Sequence, residues 1–277
     1  MASAARAVAI LADVHGNLPA LEAVLADVAS RGIREVVVAG DLVGFGASPN
    51  AVVDRLVDVG ATLIRGNHEA DYVGGYADPA NRAAWRADPG LANMCWYLDR
   101  LGPARAALLT ALPGRHWLDP ATLVTHGSPR HVRDSVTAET PDVELAAMFG
   151  PDPPRLTFVG HTHVPLLRAA PWGRVVNVGA VGAALGDPRA AYATATRAAG
   201  AADGDWAVEV LHVPYDIEAA IAAYDAGMGA ADPTFAALLA CHLRTGRPVF
   251  REWARARAAL APADRPAALA RLLAGAS

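Results

Sequence analysis

Short apolar runs alternate with helical periodicity over the first 70 residues, and this alternation restricts the fold more than any other feature of the chain. The apolar runs cover residues 7–12, 36–39 and 62–65. Between them, apolar residues recur at three- and four-residue spacing, and the two intervening segments end at Gly32 and Gly60. Strands that alternate with helices in this way join by right-handed crossovers into a parallel sheet covered by helices. The sequence therefore predicts an α/β fold.

The later part of the chain changes this pattern twice. Strand-like runs return at 122–124 and 156–159, after a helical and aromatic stretch that is too long for a plain crossover. Residues 164–213 have the pattern of strands separated by turns, which predicts a second, largely antiparallel sheet. From residue 216 onward the sequence is an Ala- and Arg-rich helical pattern. We therefore expect a helical insertion at about 70–114 and a helical C-terminal region.

The basic residues exclude several enzyme classes. The chain has 277 residues, and all 24 of its basic residues are arginines, so it contains no lysine. Without lysine it has no P-loop lysine for phosphates, no Schiff-base lysine and no lysine–glutamate pair of the protein-kinase type. A formal net charge of −4 and a hydrophobic fraction of 53% indicate a globular protein rather than a disordered acidic one.

Cysteine usage and hydropathy predict a cytoplasmic protein without a membrane span. Cys95 and Cys241 are far apart in the sequence and have no Cys-x-x-Cys spacing, which argues against a disulfide framework. No stretch approaches the roughly 18 consecutive apolar residues of a membrane helix. The apolar run at 7–12 is shorter than the apolar region of a typical secretory signal.

Five of the predicted strands end in a short polar signature. In chain order the signatures are Asp13-Val14-His15, Gly40-Asp41-Leu42-Val43-Gly44, Gly66-Asn67-His68-Glu69, Thr125-His126-Gly127 and Gly160-His161-Thr162-His163. The carboxyl ends of strands in open α/β sheets share one edge, where ligands bind. Each signature alone is a weak signal, since Gly-Asp after a strand is commonly only a turn. Five signatures in the same topological position predict one site with two aspartates, one asparagine and five histidines.

The donor types in these signatures indicate metal chemistry. Neutral imidazoles, carboxylates and an amide carbonyl suit Mn, Fe, Zn, Ni or Co rather than a metal that requires thiolates. These side chains exceed the need of one ion, but they suit two ions that share a carboxylate. Two divalent ions, two carboxylates and a bridging hydroxide leave a net charge of about +1, which favours a phosphate ester over a neutral substrate.

The five signatures, in this order over residues 13–163, resemble those of the calcineurin-like metallophosphoesterases, and the chain looks most like small bacterial members of the phosphodiesterase type. The resemblance implies a four-layer α/β/β/α sandwich with two mixed β-sheets. We expect the phosphoesterase domain to span 1–215, with the helical insertion at about 70–114. Residues 216–277 are then a C-terminal helical extension packed on the same domain.

The resemblance also assigns a role to each signature. The implied metal ligands are Asp13, His15 and His163 for one ion, Asn67, His126 and His161 for the other, and Asp41 as the bridge between them. His68 corresponds to a histidine that binds no metal and either stabilises the phosphoryl oxygens or protonates the leaving group. Arg130 and Arg189 are candidate phosphate contacts. Glu69 is interpreted as a surface carboxylate or as one that supports the ligands.

The implied activity is that of a metal-dependent phosphoric ester hydrolase, in which a hydroxide that bridges two divalent ions attacks phosphorus in line. The expected substrate is a small phosphoester or a nucleotide, and nucleic acid stays open as a substrate. The sequence leaves the choice between monoester and diester, the metal and the oligomeric state undetermined. The alternative is a catalytically weak, metal- or nucleotide-binding regulatory or scaffold protein of the same fold. Turnover by the metal-loaded protein distinguishes the two.

Some polar residues fall outside the signatures. Four histidines match no metal-ligand spacing and are predicted to be structural, namely His116, His131, His212 and His242. Arg247, Arg251 and Arg255 recur at four-residue spacing on a predicted helix, and we interpret them as a solvated face.

Overall fold

The computed structural model describes residues 5–229 and 232–275. The outer limits of the predicted domains, at 1–4 and 276–277, and residues 230–231 lie outside the described residues. The strands are β1 (Arg6–Leu11), β2 (Glu35–Ala39), β3 (Thr62–Ile64), β4 (Arg115–Asp119), β5 (Thr122–Thr125), β6 (Leu156–Val159), β7 (Leu166–Ala170), β8 (Gly173–Asn177), β9 (Ala190–Arg197) and β10 (Ala207–Val213). They form two mixed five-stranded sheets.

The two sheets have related strand arrangements. The first has the order β10-β9-β1-β2-β3, in which β1, β2 and β3 are parallel, β9 is antiparallel to β1, and β10 is antiparallel to β9. The second has the order β4-β5-β6-β8-β7, in which β5, β6 and β8 are parallel and both outer strands are antiparallel. The parallel βαβαβ unit predicted for the first 70 residues is confirmed.

The expectation of a separate antiparallel sheet from residues 164–213 is wrong. The β7–β8 hairpin pairs with β6 in the second sheet, and the β9–β10 hairpin pairs with β1 in the first. An isolated hairpin is only marginally stable in water, and the open edge of an existing sheet offers unpaired backbone groups. Each hairpin therefore extends a parallel core instead of forming a sheet of its own.

Helices fill most of the remaining chain. They are α1 (Leu18–Ser30), α2 (Pro49–Asp58), α3 (Gly74–Tyr76), α4 (Pro79–Ala87), α5 (Ala92–Ala111), α6 (Asp142–Phe149), α7 (Ile217–Tyr224), α8 (Pro233–Thr245), α9 (Val249–Ala258) and α10 (Arg265–Ala274). Asn17 caps α1, because its side-chain oxygen accepts a hydrogen bond from the Ala20 amide at 3.2 Å. α5 bends at Gly102, which has a φ of 68° and precedes Pro103.

Side chains of β1 alternate between two hydrophobic cores. Val8 and Ile10 pack with Phe158 and other residues of the second sheet, and this core fills the space between the two sheets. Ala9 and Leu11 face the opposite way, toward α1, α2 and α5. Each fully buried aliphatic side chain of this kind contributes about 1.5–3 kcal/mol. With α6 packed on the outer face of the second sheet, the layers run helix, sheet, sheet, helix, and the predicted α/β/β/α sandwich is confirmed.

The C-terminal helices share a core with the loop that follows β2. Tyr224, Met228 and Leu239 are buried there, and Phe45 and Trp96 pack against them. The division into a domain at 1–215 and an extension at 216–277 stays a prediction. Within the described residues, no helix combines the length and the apolar character that crossing a bilayer requires.

A buried carboxylate connects the two sheets at the edge opposite the five signatures. Asp119, at the end of β4, accepts hydrogen bonds from Arg197 at 2.9 Å, from the Trp206 indole at 2.7 Å and from the Ala121 amide at 2.9 Å. Burial alone raises the pKa of Asp119, but hydrogen bonds from Trp206 and backbone amides outweigh it and lower that pKa below its usual value. The carboxylate thus stabilises the fold in its ionised form.

Asp119→Asn is expected to lower the free energy of unfolding at neutral pH by about 3 kcal/mol, because it removes one partner of a buried ion pair. Since the folded-state pKa lies below the unfolded value, this stabilisation is present above about pH 4 and is lost as pH falls through the folded pKa. Urea titrations in EDTA between pH 3 and pH 7 measure the difference. A constant difference between wild type and variant over that range contradicts the assignment.

Candidate metal centre

The carboxyl ends of the two sheets meet at one place, where backbone hydrogen bonds hold the signatures together. The Asp13 amide donates to the Gly40 carbonyl at 3.1 Å, which joins the first two signatures. The Gly160 amide donates to the His126 carbonyl at 2.8 Å, which joins the last two. The His161 amide donates to Asp13 Oδ2 at 2.9 Å and so connects the second sheet to the first.

The signature glycines leave room for the ligands. A Cβ added at Gly66 would lie 2.2 Å from Asp41 Oδ1, and one added at Gly160 would lie 2.6 Å from Asp13 Oδ2. Neither distance is compatible with a side chain. The close approach between the loops, and not turn formation alone, therefore requires glycine at these two positions.

Left-handed backbone conformations are concentrated in the site. Within the described residues, the non-glycine residues with positive φ are Asp13, His15, Asp41, His161 and His163, at values between 50° and 68°. A non-glycine residue in this region costs roughly 1–3 kcal/mol and persists only where its surroundings hold it. The fold thus holds five of the seven implied ligands in strained conformations.

One group of ligand atoms surrounds Asp13. Its Oδ1 atom lies 3.3 Å from His163 Nε2 and 3.7 Å from His15 Nε2, and the two imidazole nitrogens are 3.0 Å apart. Asp13 Oδ1 is buried and accepts no hydrogen bond from the described part of the protein. A buried carboxylate oxygen without a donor, facing two ring nitrogens, fits a cation between the three residues.

A second group of ligand atoms surrounds Asn67. Its Oδ1 atom lies 3.0 Å from His126 Nε2 and 2.8 Å from His161 Nδ1. Asp41 Oδ2 lies 3.4 Å from His126 Nε2 and 3.8 Å from His15 Nε2, and is therefore between the two groups. Asp13–His15–His163 and Asp41–His126–His161 each form a set whose ligand atoms lie within 4.8 Å of one another.

Backbone carbonyls orient three of the imidazoles. The Nδ1 atoms of His126 and His163 donate to the Ala39 and Ala183 carbonyls, each at 2.7 Å. His15 Nδ1 lies 3.3 Å from the Val43 carbonyl. With the proton on Nδ1, each Nε2 lone pair faces the cluster, which is the arrangement that metal-binding histidines require.

The electrostatics of these protein groups also favour cations. Burial disfavours a charged His126, but the Asp41 carboxylate outweighs this effect and raises the pKa of His126 to about 10. His161 is affected in the opposite direction, since burial and the neighbouring His126 lower its pKa to about 4. The buried carboxylates thus attract positive charge into the cluster, and metal binding would displace the proton from His126.

Glu69 holds the loops that carry Asp41 and Asn67. It is fully buried, so the first of its two predicted roles, a surface carboxylate, is wrong, and its contacts fit the second, a carboxylate that supports the residues of the cluster. Its two oxygens accept hydrogen bonds from the amides of Asp41 at 2.9 Å, Leu42 at 2.9 Å and Gly66 at 2.8 Å. Burial and the Asp41 carboxylate raise the pKa of Glu69 to about 7. The side chain acts through the backbone of the ligands and contacts no substrate space.

Glu69→Gln is expected to lower the free energy of unfolding by about 3 kcal/mol, because its amide NH2 would face backbone N–H donors and leave buried groups unsatisfied. Metal affinity is expected to fall with stability, since the Asp41 and Asn67 loops lose their common support. Thermal unfolding and metal titration measure both effects. Glu139→Gln, on an exposed glutamate, is the control, and equal behaviour of the two variants contradicts this role.

His68 lies beside the cluster, and its imidazole forms a third set with His15 and Asp41 whose ligand atoms also lie within 4.8 Å of one another. Its Nε2 atom is 4.0 Å from Asp41 Oδ2, and its backbone amide donates to Asp41 Oδ1 at 2.8 Å. The Nδ1 atom is 3.3 Å from the buried Tyr97 hydroxyl. Burial lowers the pKa of His68, although the Asp41 carboxylate opposes this effect. His68 also begins a π-helical segment, His68–Val73, a type of turn that is frequent at functional sites.

A cleft of about 240 Å³ opens above the cluster. Its lining includes residues that the sequence did not single out for the site, namely Phe45, Leu185, His242, Pro248, Phe250 and Arg251. Phe45 directly follows a signature, which is a signal that could have identified it. The others lie elsewhere in the chain, and their sequence context gives no such signal.

Arg130 and Arg189, the candidate phosphate contacts, lie outside the residues that form the cleft. Arg130 pairs with Asp134 at 2.7 Å, and Arg189 pairs with Asp187 at 2.5 Å. Both arginines are exposed, so their proposed role in phosphate binding stays a prediction.

The structure has two mixed five-stranded sheets with helices on both sides, and aspartate, asparagine and histidine side chains that could hold a metal cluster at its strand ends. The domain of the calcineurin-like phosphoesterase superfamily matches residues 7–200, which is more than half of the chain. The chain therefore belongs to the calcineurin-like phosphoesterase superfamily. The bacterial phosphodiesterase type within it stays a prediction.

Similar proteins cover most of the chain. The metallophosphoesterase from Sphaerobacter thermophilus is 29% identical, and its crystal structure matches with a TM-score of 0.66 over 84% of this chain and 98% of that one. Hypothetical protein PH1004 from Pyrococcus horikoshii OT3 is 21% identical and shares the fold, with a TM-score of 0.69 over 84% of this chain and 97% of that one. Uncharacterized protein MJ0912 of Methanocaldococcus jannaschii is 26% identical over 228 residues, 77% of this chain and 89% of its own length.

Proposed function

We propose that the protein is a dinuclear-metal-dependent phosphoesterase that hydrolyses a phosphodiester or phosphomonoester by in-line attack of a metal-bridging hydroxide. The observation that carries this proposal is the pair of ligand groups around Asp13 and Asn67, with Asp41 between them. Bound at these groups, two ions supply Lewis acidity, a nucleophile at neutral pH and a clamp for the phosphoryl oxygens.

The proposed division of ligands is the one that the family resemblance implies, and these distances support it. Asp13, His15 and His163 would hold one ion, and Asn67, His126 and His161 would hold the other, with Asp41 shared. The donor set suits Mn, Fe, Zn, Ni or Co, and availability decides among them. Two carboxylates against two divalent ions leave positive charge at the base of the cleft, which favours an anionic phosphoester. A small phosphoester or a nucleotide is the proposed substrate.

His68 is the proposed acid–base residue. Its Nε2 atom is 4.0 Å from the shared carboxylate, and the residue lines the cleft. Burial lowers the pKa of His68 and so favours the neutral imidazole. Its N–H would donate to a phosphoryl oxygen, and its protonated form, which a dianionic phosphate favours, would protonate the leaving group.

Hydrolysis of p-nitrophenyl phosphate and bis(p-nitrophenyl) phosphate with added Mn²⁺ tests the proposal. Elemental analysis first establishes that the preparation holds two metals per chain. We expect turnover of at least one ester, and the ratio of the two rates gives the preference for monoester or diester. If protein with two bound metals hydrolyses neither ester, nor any member of a nucleotide panel, the proposal is wrong and a binding or scaffold role is indicated.

A further inference from the structure

The C-terminal helices form one wall of the cleft above the ligand cluster. His242 on α8, Phe250 and Arg251 on α9, and Pro248 between these helices all line it. Phe45, from the loop after β2, lies against Phe250 and completes the wall. A segment far from the five signatures in sequence thus bounds the space in which a substrate's organic group must lie.

Hydrogen bonds fix this wall to the ligand loops. The Gly186 amide donates to the Gly246 carbonyl at 2.9 Å. This bond joins the turn after α8 to the loop that contains Ala183, whose carbonyl accepts a hydrogen bond from His163 Nδ1. His242 Nδ1 donates to the Arg247 carbonyl at 2.8 Å within that turn. The wall therefore keeps a defined position relative to the cluster, as a specificity surface must.

The wall is aromatic next to the ligands. The Phe45 ring is centred 4.5 Å from the His15 ring and 5.6 Å from the His68 ring. The Phe250 ring is stacked on Phe45 with centroids 5.7 Å apart and an interplanar angle of 15°. Both phenylalanines are only half-buried. Both rings line the cleft, so they offer aromatic surface to a ligand beside the cluster.

Arg251 adds a positive charge to this wall. It is exposed, lines the cleft, and forms no side-chain hydrogen bond or ion pair with the rest of the described chain. Nearby arginines are engaged, since Arg244 pairs with Glu218 at 2.7 Å and Arg247 pairs with Glu252 at 2.8 Å. Arg251 is therefore available to an anionic group of a ligand, and its exposure agrees with the predicted solvated face.

We propose that this wall selects small organic phosphates whose leaving group has a flat aromatic part against Phe45 and Phe250 and a second anionic group that pairs with Arg251. The inference rests on the proposed phosphoesterase function and adds the substrate class. The cleft volume of about 240 Å³ lies just below the usual range for drug-sized ligands, and it suits a leaving group with one ring rather than a polymer.

Three phosphate monoesters test the wall. Phenyl phosphate and 4-carboxyphenyl phosphate have leaving groups of similar acidity and differ in the second anion, and ethyl phosphate lacks the ring. We expect the wild type to show a higher kcat/KM for the carboxylated ester than for phenyl phosphate. Arg251→Gln is expected to lower kcat/KM for the carboxylated ester by about 10- to 100-fold, mainly through KM, and to leave phenyl phosphate unchanged.

Matched variants separate the two parts of the wall. Arg255→Gln, one helical turn further along α9 and outside the cleft lining, should change none of the rates. Phe250→Leu should reduce the preference for phenyl over ethyl phosphate several-fold while the rate on ethyl phosphate is retained, which also shows that the variant is folded. Equal losses on both aryl esters in Arg251→Gln, or no preference for the carboxylated ester in wild type, would overturn the inference. Failure of the wild type with two bound metals on every ester would instead overturn the proposed function.

Discussion

Asp41→Asn is expected to abolish binding of both metals and to lower kcat/KM for p-nitrophenyl phosphate by at least about 10³-fold, because several kcal/mol of charge stabilisation is lost with the ions. Asp41 Oδ2 faces His126 of one ligand group at 3.4 Å and His15 of the other at 3.8 Å. The asparagine substitution removes the negative charge that both groups share. Elemental analysis and steady-state kinetics measure the two losses.

The exposed ion-pair residue Asp54 supplies the control, since Asp54→Asn removes a carboxylate that pairs with Arg105 at the surface. This variant should keep both metals and full activity. Circular dichroism confirms that each variant is folded before the comparison. An Asp41→Asn protein that retains two metals and wild-type turnover would show that the shared ligand has been misassigned.

His68→Ala is expected to keep both metals and to lower kcat by about 10²- to 10⁴-fold, the usual contribution of a positioned acid–base group. The imidazole belongs to neither ligand group of the proposed assignment, so its loss should leave metal content unchanged. The backbone amide of residue 68 still donates to Asp41 Oδ1 in this variant. Metal content and kcat measured on one preparation separate the catalytic role from a structural one.

Tyr97→Phe tests the contact between His68 and Tyr97 without removing the imidazole. It removes the hydroxyl that lies 3.3 Å from His68 Nδ1 and preserves the buried ring. We expect a decrease in kcat much smaller than for His68→Ala, with both metals retained.

Loss of one metal in His68→Ala, in proportion to its loss of activity, would instead indicate that His68 is a ligand.

The ligand cluster could be predicted from the sequence because it follows from a topological rule. Parallel strands bring their carboxyl ends to one edge, so Asp13, Asp41 and Asn67 meet wherever β1, β2 and β3 pair as expected. The same rule applies to His126 and His161 in the second sheet. Periodicity does not reveal which strands share a sheet, because any open edge accepts a hairpin. For that reason the placement of residues 164–213 was predicted incorrectly.

The cleft wall could not be predicted, because its position depends on long-range packing. Phe250 and Arg251 reach the cluster only because buried side chains such as Tyr224 and Leu239 seat the C-terminal helices against Phe45. Helical periodicity identifies an apolar face but not the loop that this face meets. The burial of Glu69 could not be predicted from the sequence either, since nothing near it in the chain indicates that three backbone amides donate to its carboxylate.

The left-handed backbone at the cluster sets the stability of the chain against the chemistry of its side chains. Glycine adopts a positive φ without the roughly 1–3 kcal/mol that a non-glycine residue costs there. His15, His161 and His163 therefore keep their imidazoles at the cluster at the expense of backbone strain. A glycine at any of these three positions would relieve that strain and remove a candidate metal donor in the same substitution.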